Sequence, residues 1–380
     1  MNRSATAPAC YFNHAGCSFV TTATLDAVVA QLGLEQRAGN AVADLITAAD
    51  RRSLYKLAAL AVGASPEEIA LTDSHTTGWE KALRSITLKA GDVVLTTRNE
   101  WGGNFRALRH HAKRHGAWVM AIPPAADGSV CLKSLNDLMC KEIKLISVSW
   151  LGSNGGHVEP VAEIGELARK HGVTYFVDAS QTVGQMPVNV QRIQCDVLTT
   201  PGRKWLRGPK GTGFMYLRSE FLAQCQAAGA FDELVGPSTP LTAKHFEASS
   251  PSVPLQMGLL AALDQFQQLG IGQIQKQILD RSHKLWEGLQ SIPGVSCLST
   301  SLPQHGLVSF TVEGWNANDV RDRLMASGIE VAANQAAFTP MDMQARQLDA
   351  VVRASPHVCT TADEISQLVE AVKLIVGQKR

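Results

Sequence analysis

The sequence predicts an α/β fold, a mostly parallel sheet with helices on both faces, followed by a small α+β unit. Two observations carry this. From about residue 70 to 220, short apolar runs alternate with helical patterns. Parallel strands demand that order, because each must cross over a helix before the next can pair. Past a Ser/Pro-rich stretch at 249–254, the pattern changes to a long helical segment and then to short strands between helices.

The elements follow in order. Val93–Thr96, Trp118–Ile122, Leu145–Trp150, Thr174–Asp178 and Val197–Thr199 are rich in β-branched and aromatic residues and too short for helices, so they read as strands. Helical periodicity marks Gly78–Leu88, Phe105–His115 and Val161–His171 between them. A glycine-rich turn separates Val197–Thr199 from a further strand, Phe214–Leu217. Leu255–Leu289 reads as one long helical stretch bridging to the second unit. That unit has strands at Leu307–Val312, Ile329–Ala332 and Val351–Arg353, and helices at Asn318–Ser327 and Thr361–Gly377. The expected division is an N-terminal segment (1–20) near the site, a large domain (21–255), and a linking helix with a small C-terminal domain (256–380).

Bulk composition narrows the function classes. A chain of 380 residues with 18% charged and 45% hydrophobic residues suits a two-domain soluble enzyme. A net charge of +1 gives no reason to expect nucleic acid or an anionic membrane surface. No apolar run is long enough for a transmembrane helix, and Met1–Pro8 shows no secretory core. The eight cysteines are scattered without a Cys-x-x-Cys pair, so no metal site is expected and a reducing cytoplasm fits.

The chemistry centres on Lys204, in Thr-Thr-Pro-Gly-Arg-Lys-Trp-Leu-Arg-Gly-Pro-Lys-Gly from Thr199 to Gly211. A lysine fixed at a strand end by turn chemistry is placed for covalent work. Twenty-six residues upstream, Asp178 ends another strand in Asp-Ala-Ser-Gln. An aldehyde cofactor such as pyridoxal phosphate needs this pair, an amine to condense with it and a carboxylate to keep its ring nitrogen protonated. Alone, Lys204 reads as a surface lysine and Asp178 as a helix cap with Gln181 at capping-box spacing. Leu71–Gly78 precedes a helix and offers hydroxyls and free amides, either an anion site or an ordinary cap. Trp101, beside Gly102 and Gly103, is placed in a loop where it could stack on the ring or pack in the core. Arg353, on an apolar strand, calls for a carboxylate, from a substrate or from a structural ion pair.

Together these pieces resemble the class V aminotransferases of the fold-type I pyridoxal-phosphate enzymes, a family that includes cysteine desulfurases. The resemblance runs from Tyr11-Phe12-Asn13-His14-Ala15-Gly16-Cys17 to Arg353-Ala354-Ser355-Pro356-His357. It implies a seven-stranded, mostly parallel large-domain sheet and a homodimer with shared sites. By it, Lys204 carries the cofactor and Asp178 partners the ring nitrogen. Gln181 lies near the phenolic oxygen, His75 and Thr76 form the phosphate pair, and Trp101 stacks on the ring. Arg353 holds the substrate carboxylate, and Ser250 belongs to the segment reaching a neighbouring subunit's phosphate. The family pattern has histidine before the lysine and serine three before it. Arg203 and Pro201 stand there instead, so Arg203 is expected to supply charge to the phosphate. Ser153 aligns with an asparagine expected beside the ring, with Asn154 adjacent, and Asn154 and His14 are expected with Arg353 as substrate-binding residues.

Desulfurases carry a mobile cysteine after a segment like Gly328–Val331, and 332–343 contains none. The fragments 13–17, 100–104, 152–156 and 202–206 look like the branch holding ergothioneine-type sulfoxide lyases and isopenicillin-N epimerase-like proteins. The leading expectation is a C–S lyase acting on an S-substituted cysteine or cysteine sulfoxide, releasing pyruvate and ammonia. An epimerase, with His14, His75 or Cys17 as the opposite-face acid, and an aminotransferase are the alternatives. A cysteine desulfurase is less favoured.

Overall fold

The computed structural model describes residues 8–227 and 241–378. Residues 1–7 of the N-terminal segment, 228–240 of the large unit and 379–380 lie outside the described residues. Strand β1 (Cys10–Tyr11) precedes helices α1 (Thr22–Ala38), α2 (Asn40–Ile46) and α3 (Ala48–Val62). There follow β2 (Ile69–Thr72), α4 (His75–Arg84), β3 (Val93–Thr96), α5 (Gly102–Arg114), β4 (Trp118–Ala121), α6 (Leu132–Leu138) and β5 (Ile143–Ser149). Next come α7 (Val161–His171), β6 (Thr174–Asp178), α8 (Val190–Ile193), β7 (Val197–Pro201), β8 (Gly213–Leu217) and α9 (Ser219–Ala227). The C-terminal part runs α10 (Val253–Leu269), α11 (Ile271–Gln290), β9 (Val295–Cys297), β10 (Val308–Val312) and α12 (Ala317–Ala326). It ends with β11 (Ile329–Glu330), β12 (Ala332–Gln335), α13 (Pro340–Ala345), β13 (Ala350–Ala354) and α14 (Ala362–Gly377).

The large sheet has seven strands in the order β2-β8-β7-β6-β5-β3-β4. The central pairings from β4 to β7 are parallel, whereas β8 runs antiparallel to both β7 and β2. Alternation along β6 shows how the layers are built. Tyr175 and Val177 join the core shared with α3, α6, α7 and α10, while Phe176 joins the core shared with α4, α5 and α9. Both faces are covered, which is why these strands read as continuous apolar runs rather than alternating ones.

Differences from the sequence reading have local causes. The long helical stretch is two helices, because Gly270 takes φ 74° and ends α10. The run Ile329–Ala332 is split between β11, which pairs in parallel with β1, and β12, which pairs with β13. Strand β2 and helices α1 to α3 were not singled out by periodicity.

The small unit is a four-stranded antiparallel sheet, β12-β13-β10-β9, backed by α12, α14 and the second half of α11. Ile274 and Ile278 of α11 pack in the large core, while Leu285 and Leu289 pack in the small one. One helix thus spans both cores.

Helix α7 reaches α8 so closely that a Cβ on Gly165 would stand 1.9 Å from the Ile193 carbonyl oxygen. Gly165→Ala should therefore destabilise the protein by about 1–3 kcal/mol. Gly272→Ala in α11, where nothing lies within 4 Å of the added carbon, should be neutral or slightly stabilising. Urea midpoints of the two variants check this, and an unchanged midpoint for Gly165→Ala would contradict the close approach.

Candidate active site

The site lies at the carboxyl ends of β3, β5, β6 and β7, where open α/β sheets bind ligands. Asp178 ends β6 on the same face as Phe176, toward α4 and α5. Its Oδ1 accepts the Ser180 N–H at 2.8 Å. Its Oδ2 accepts Asn104 Nδ2–H at 3.1 Å and faces His75 Nε2 at 3.2 Å. The register sets Asp178 opposite Thr199 on β7, so the turn carrying Lys204 begins next door. That turn is closed by Gly202 N to Thr212 O and Gly208 N to Gly202 O, both 2.8 Å, and a Cβ on Gly202 would meet Thr212 Oγ1 at 2.3 Å.

Lys204, Asp178, His75, Thr76, Trp101, Gln181, Arg203 and Arg353 all line one cavity of about 550 Å³. No hydrogen bond holds the Lys204 amine among the described residues. Burial pushes its pKa down to about 7. The Asp178 charge opposes that shift, and Arg203 and Arg353 add to it. Arg353 is buried, with Nη1 on Ser153 O at 2.7 Å and Nη2 on Asn13 Oδ1 at 3.1 Å. Its Nε has no partner, and no carboxylate among the described residues pairs with it. The structural ion pair is therefore not what holds this arginine. Burial lowers it only to about 10, so it stays cationic near neutrality.

Several expected roles need correcting. The His75 side chain does not face an anion site. Its Nδ1 lies 2.7 Å from Thr199 Oγ1 and its Nε2 3.1 Å from Asn104 Oδ1, and burial lowers its pKa against the pull of Asp178. Its backbone stands at the N-terminus of α4 beside Thr76, and both residues line the cavity. Asn154 is turned from the cavity, donating to Thr339 Oγ1 and accepting from Asn334 Nδ2, both at 2.9 Å, while Ser153 lines the cavity. His14 is buried with Nδ1 2.9 Å from Ser18 Oγ and its ring against Tyr11 and His357, outside the cavity lining. Gln181 lines the cavity, but its amide already bonds Ala15 O at 3.0 Å and Trp205 Nε1 at 2.9 Å. Ser250 is exposed and outside this lining.

Gly102 and Gly103 do not form a loop around Trp101. They start α5, with Trp101 as its N-cap residue. A Cβ on Gly103 would lie 2.1 Å from the Trp101 ring, and one on Gly102 would lie 1.9 Å from Ala337 O. The glycines let the indole and the 336–338 segment approach the helix.

Sequence reasoning missed Glu100 and Thr199, and it placed Asn104 and Phe338 only within the expected specificity loops Trp101–Arg106 and Asn334–Met343. Glu100 and Asn104 stand at i and i+4 in the 100–104 fragment, and the burial of Glu100 that marks it is visible only in the structure. Burial pushes Glu100 up, against hydrogen bonds from Ser149, Asn104 and Thr96.

Residues 10–368 match the family described as Aminotransferase class-V. The chain belongs to that family. It is 31% identical over 294 residues to a probable cysteine desulfurase of Xylella fastidiosa, covering 75% of this chain and 70% of that protein. Among solved structures it resembles the cystine C–S lyase C-DES in complex with its product, cysteine persulfide. That match has TM-score 0.84 and 28% identity, and covers 96% of this chain and 97% of the other. A lysine-to-alanine variant of C-DES with glycine covalently linked to the PLP cofactor matches with TM-score 0.84 and 28% identity, over 96% of each chain. Class V members are pyridoxal-phosphate enzymes, and this chain is one of them.

The residues fit that cofactor. An unbonded amine, a carboxylate, and the free N–H groups at the start of α4 with Arg203 and Lys210 meet one cavity. Ser180 and Arg353 also line it, and their buried Oγ and Nε lack partners among the described residues.

Because the Lys204 pKa is lowered to about 7, the amine is protonated below that pH and free above it. Capture of pyridoxal phosphate by the apo-protein should accelerate from pH 6 to 8 and then level off. Near-visible absorbance after rapid mixing measures this, and a rate still climbing through pH 10 would show an ordinary lysine.

Proposed function

We propose that this protein is a pyridoxal-phosphate-dependent lyase that breaks the Cβ–S bond of a cysteine derivative, releasing pyruvate and ammonia. The observation that carries the reading is Arg353, a buried cation with no Nε partner and no carboxylate partner among the described residues, sharing a cavity with Lys204 and Asp178. It suits the α-carboxylate of an amino acid. When bound, the cofactor supplies an aldehyde for the substrate amine and a cationic ring that takes up the electrons left at Cα. Arg353 holds the carboxylate, Lys204 takes the Cα proton, and Asp178 faces the ring nitrogen. Thr76, the start of α4, Arg203 and Lys210 face the phosphate, and Trp101 stands beside the ring. Sulfur leaves Cβ with the bonding electrons.

Cysteine sulfoxides and cystine-like disulfides expel a sulfenate or a persulfide, each a better leaving group than a thiolate. They need no acceptor cysteine, which agrees with the cysteine-free 332–343 segment and with a cavity lined by no cysteine among the described residues. The cystine C–S lyase likeness supports this class, whereas nothing in the comparisons favours sulfoxides in particular. The second reading, cysteine desulfurase, draws its weight from the curated relatives, which carry that name.

A panel of cystine, S-alkylcysteines, their S-oxides and free cysteine separates these readings. Pyruvate from the substituted compounds is expected, with activity lost at least a thousandfold in Lys204→Ala. Alanine and sulfide from free cysteine would replace this reading with the desulfurase one. Inversion at Cα, or a keto acid retaining the sulfur, would point to an epimerase or an aminotransferase.

We also infer a cytoplasmic homodimer. The eight cysteines are free thiols. Helix α1 exposes Leu25, Val29 and Leu32 at i, i+4 and i+7, and α2 exposes Val42, Leu45 and Ile46, with Leu45 77% exposed. Such an apolar face on consecutive helices suits a second copy. Val29→Glu with Leu45→Glu should give a monomer in sedimentation, and a wild-type that already sediments as a monomer would refute the dimer.

A further inference from the structure

Glu100 has no exposed surface, yet its carboxylate is surrounded by donors. Oε1 accepts from Trp101 N and Asn104 Nδ2 at 3.0 Å and from Ser149 Oγ at 2.6 Å. Oε2 accepts from Thr96 Oγ1 and Ser147 Oγ at 2.9 Å. Two N–H groups meet Oε1, so that oxygen is an acceptor whatever proton Oε2 shares with the hydroxyls. An acceptor there orients the Asn104 amide, Nδ2 toward Glu100 and Oδ1 away.

The consequences run through named atoms. The second Nδ2 hydrogen reaches Asp178 Oδ2 at 3.1 Å. Oδ1, 3.1 Å from His75 Nε2, calls for a proton on that nitrogen, which also lies 3.2 Å from Asp178 Oδ2. His75 Nδ1 then accepts the Thr199 hydroxyl at 2.7 Å. Glu100 fixes an amide, the amide and a threonine fix a histidine tautomer, and two N–H groups converge on one oxygen of Asp178.

We propose that Glu100 and Asn104 are positioning residues. Through the Asn104 amide and the His75 Nε2–H, they hold the Asp178 carboxylate in the orientation that grips the cofactor ring. This rests on the reading of Asp178 as the ring-nitrogen partner. The charged and titratable groups facing Asp178 are His75 from α4, Glu100 from the loop before α5 and Lys204 from the turn after β7.

The test uses the full chain, as apo-protein and loaded with pyridoxal phosphate. It reads cofactor affinity by tryptophan quenching and the pH midpoint of the near-visible band. Asn104→Leu should weaken cofactor binding about tenfold or more, the loss expected for one hydrogen bond to a charged acceptor, and displace the midpoint. Glu100→Leu, which removes the acceptor at Oε1, should weaken binding and displace the midpoint as Asn104→Leu does, and Glu100→Gln, which retains it, should restore both to within about twofold of wild type. If Asn104→Leu does not fold, Thr199→Val, which frees His75 Nδ1, should move both readouts in the same direction. Wild-type affinity and midpoint in Asn104→Leu, or in Thr199→Val where that stands in, would overturn the proposal. So would a Glu100→Gln defect as large as that of the Asn104 variant. Asp178→Asn is the separating arm. If it leaves both readouts unchanged, the assignment of Asp178 itself fails, whereas a large effect there with silent relay variants sinks only the relay.

Discussion

A carboxylate at the end of a strand buried on both faces is the constraint around which this site is built. A buried charge without partners costs far more than a fold can spare. Asp178 meets the constraint with N–H groups from three different elements: Ser180 from the turn after β6, Asn104 from α5 and His75 from α4. Each donor fixes the placement of its own element. The close start of α5, the inward turn of the first α4 residue and the β6–β7 register all serve the same atom. The neighbouring β7 then delivers Lys204 to the other side of the same cavity.

Two of the cationic side chains lining the cavity, Lys204 and Arg353, respond differently to burial, and the difference suits the roles proposed for them. A lysine amine gives up its proton readily when desolvated, and Lys204 is brought to about 7. An arginine keeps its charge, and burial takes Arg353 only to about 10. Its guanidinium is steadied by the Ser153 carbonyl and the Asn13 amide rather than by an acid, so the charge is held in place without being neutralised. One group can move a proton, and the other can only bind an anion.

What was legible in the sequence was whatever a continuous stretch encodes. The alternation of strands and helices, the Lys204 turn and the strand ending in Asp178 are local patterns, and the structure places each at the sheet's carboxyl edge. What escaped depends on the relative placement of separate elements. Glu100 and Asn104 acquire meaning only once α5 lies against β6, 74 residues further along for the Asn104–Asp178 bond. The choice between Ser153 and Asn154 turns on chain direction before Gly155 and Gly156, at φ 78° and 100°, which send Asn154 toward Asn334 and Thr339. His75 was read as preceding a helix from Gly78 and is instead the first residue of α4, and periodicity does not say which way that side chain turns.

The 332–343 segment bears most directly on the chemistry. Asn334 and Thr339 are tied to Asn154, and Asp342 is held by Arg98 at 3.0 Å and Arg346 at 2.9 Å. Ala337 is seated on Gly102. A segment fastened at so many points suits a wall better than a carrier that must swing a thiol in and out. Its contribution to the cavity lining is Phe338, next to the residue seated on the α5 start. An aromatic side chain cannot accept sulfur, but it can pack against the substituent a sulfur atom carries. The wall and the missing thiol therefore argue for the same kind of substrate, one whose sulfur arrives already bonded to the group with which it departs.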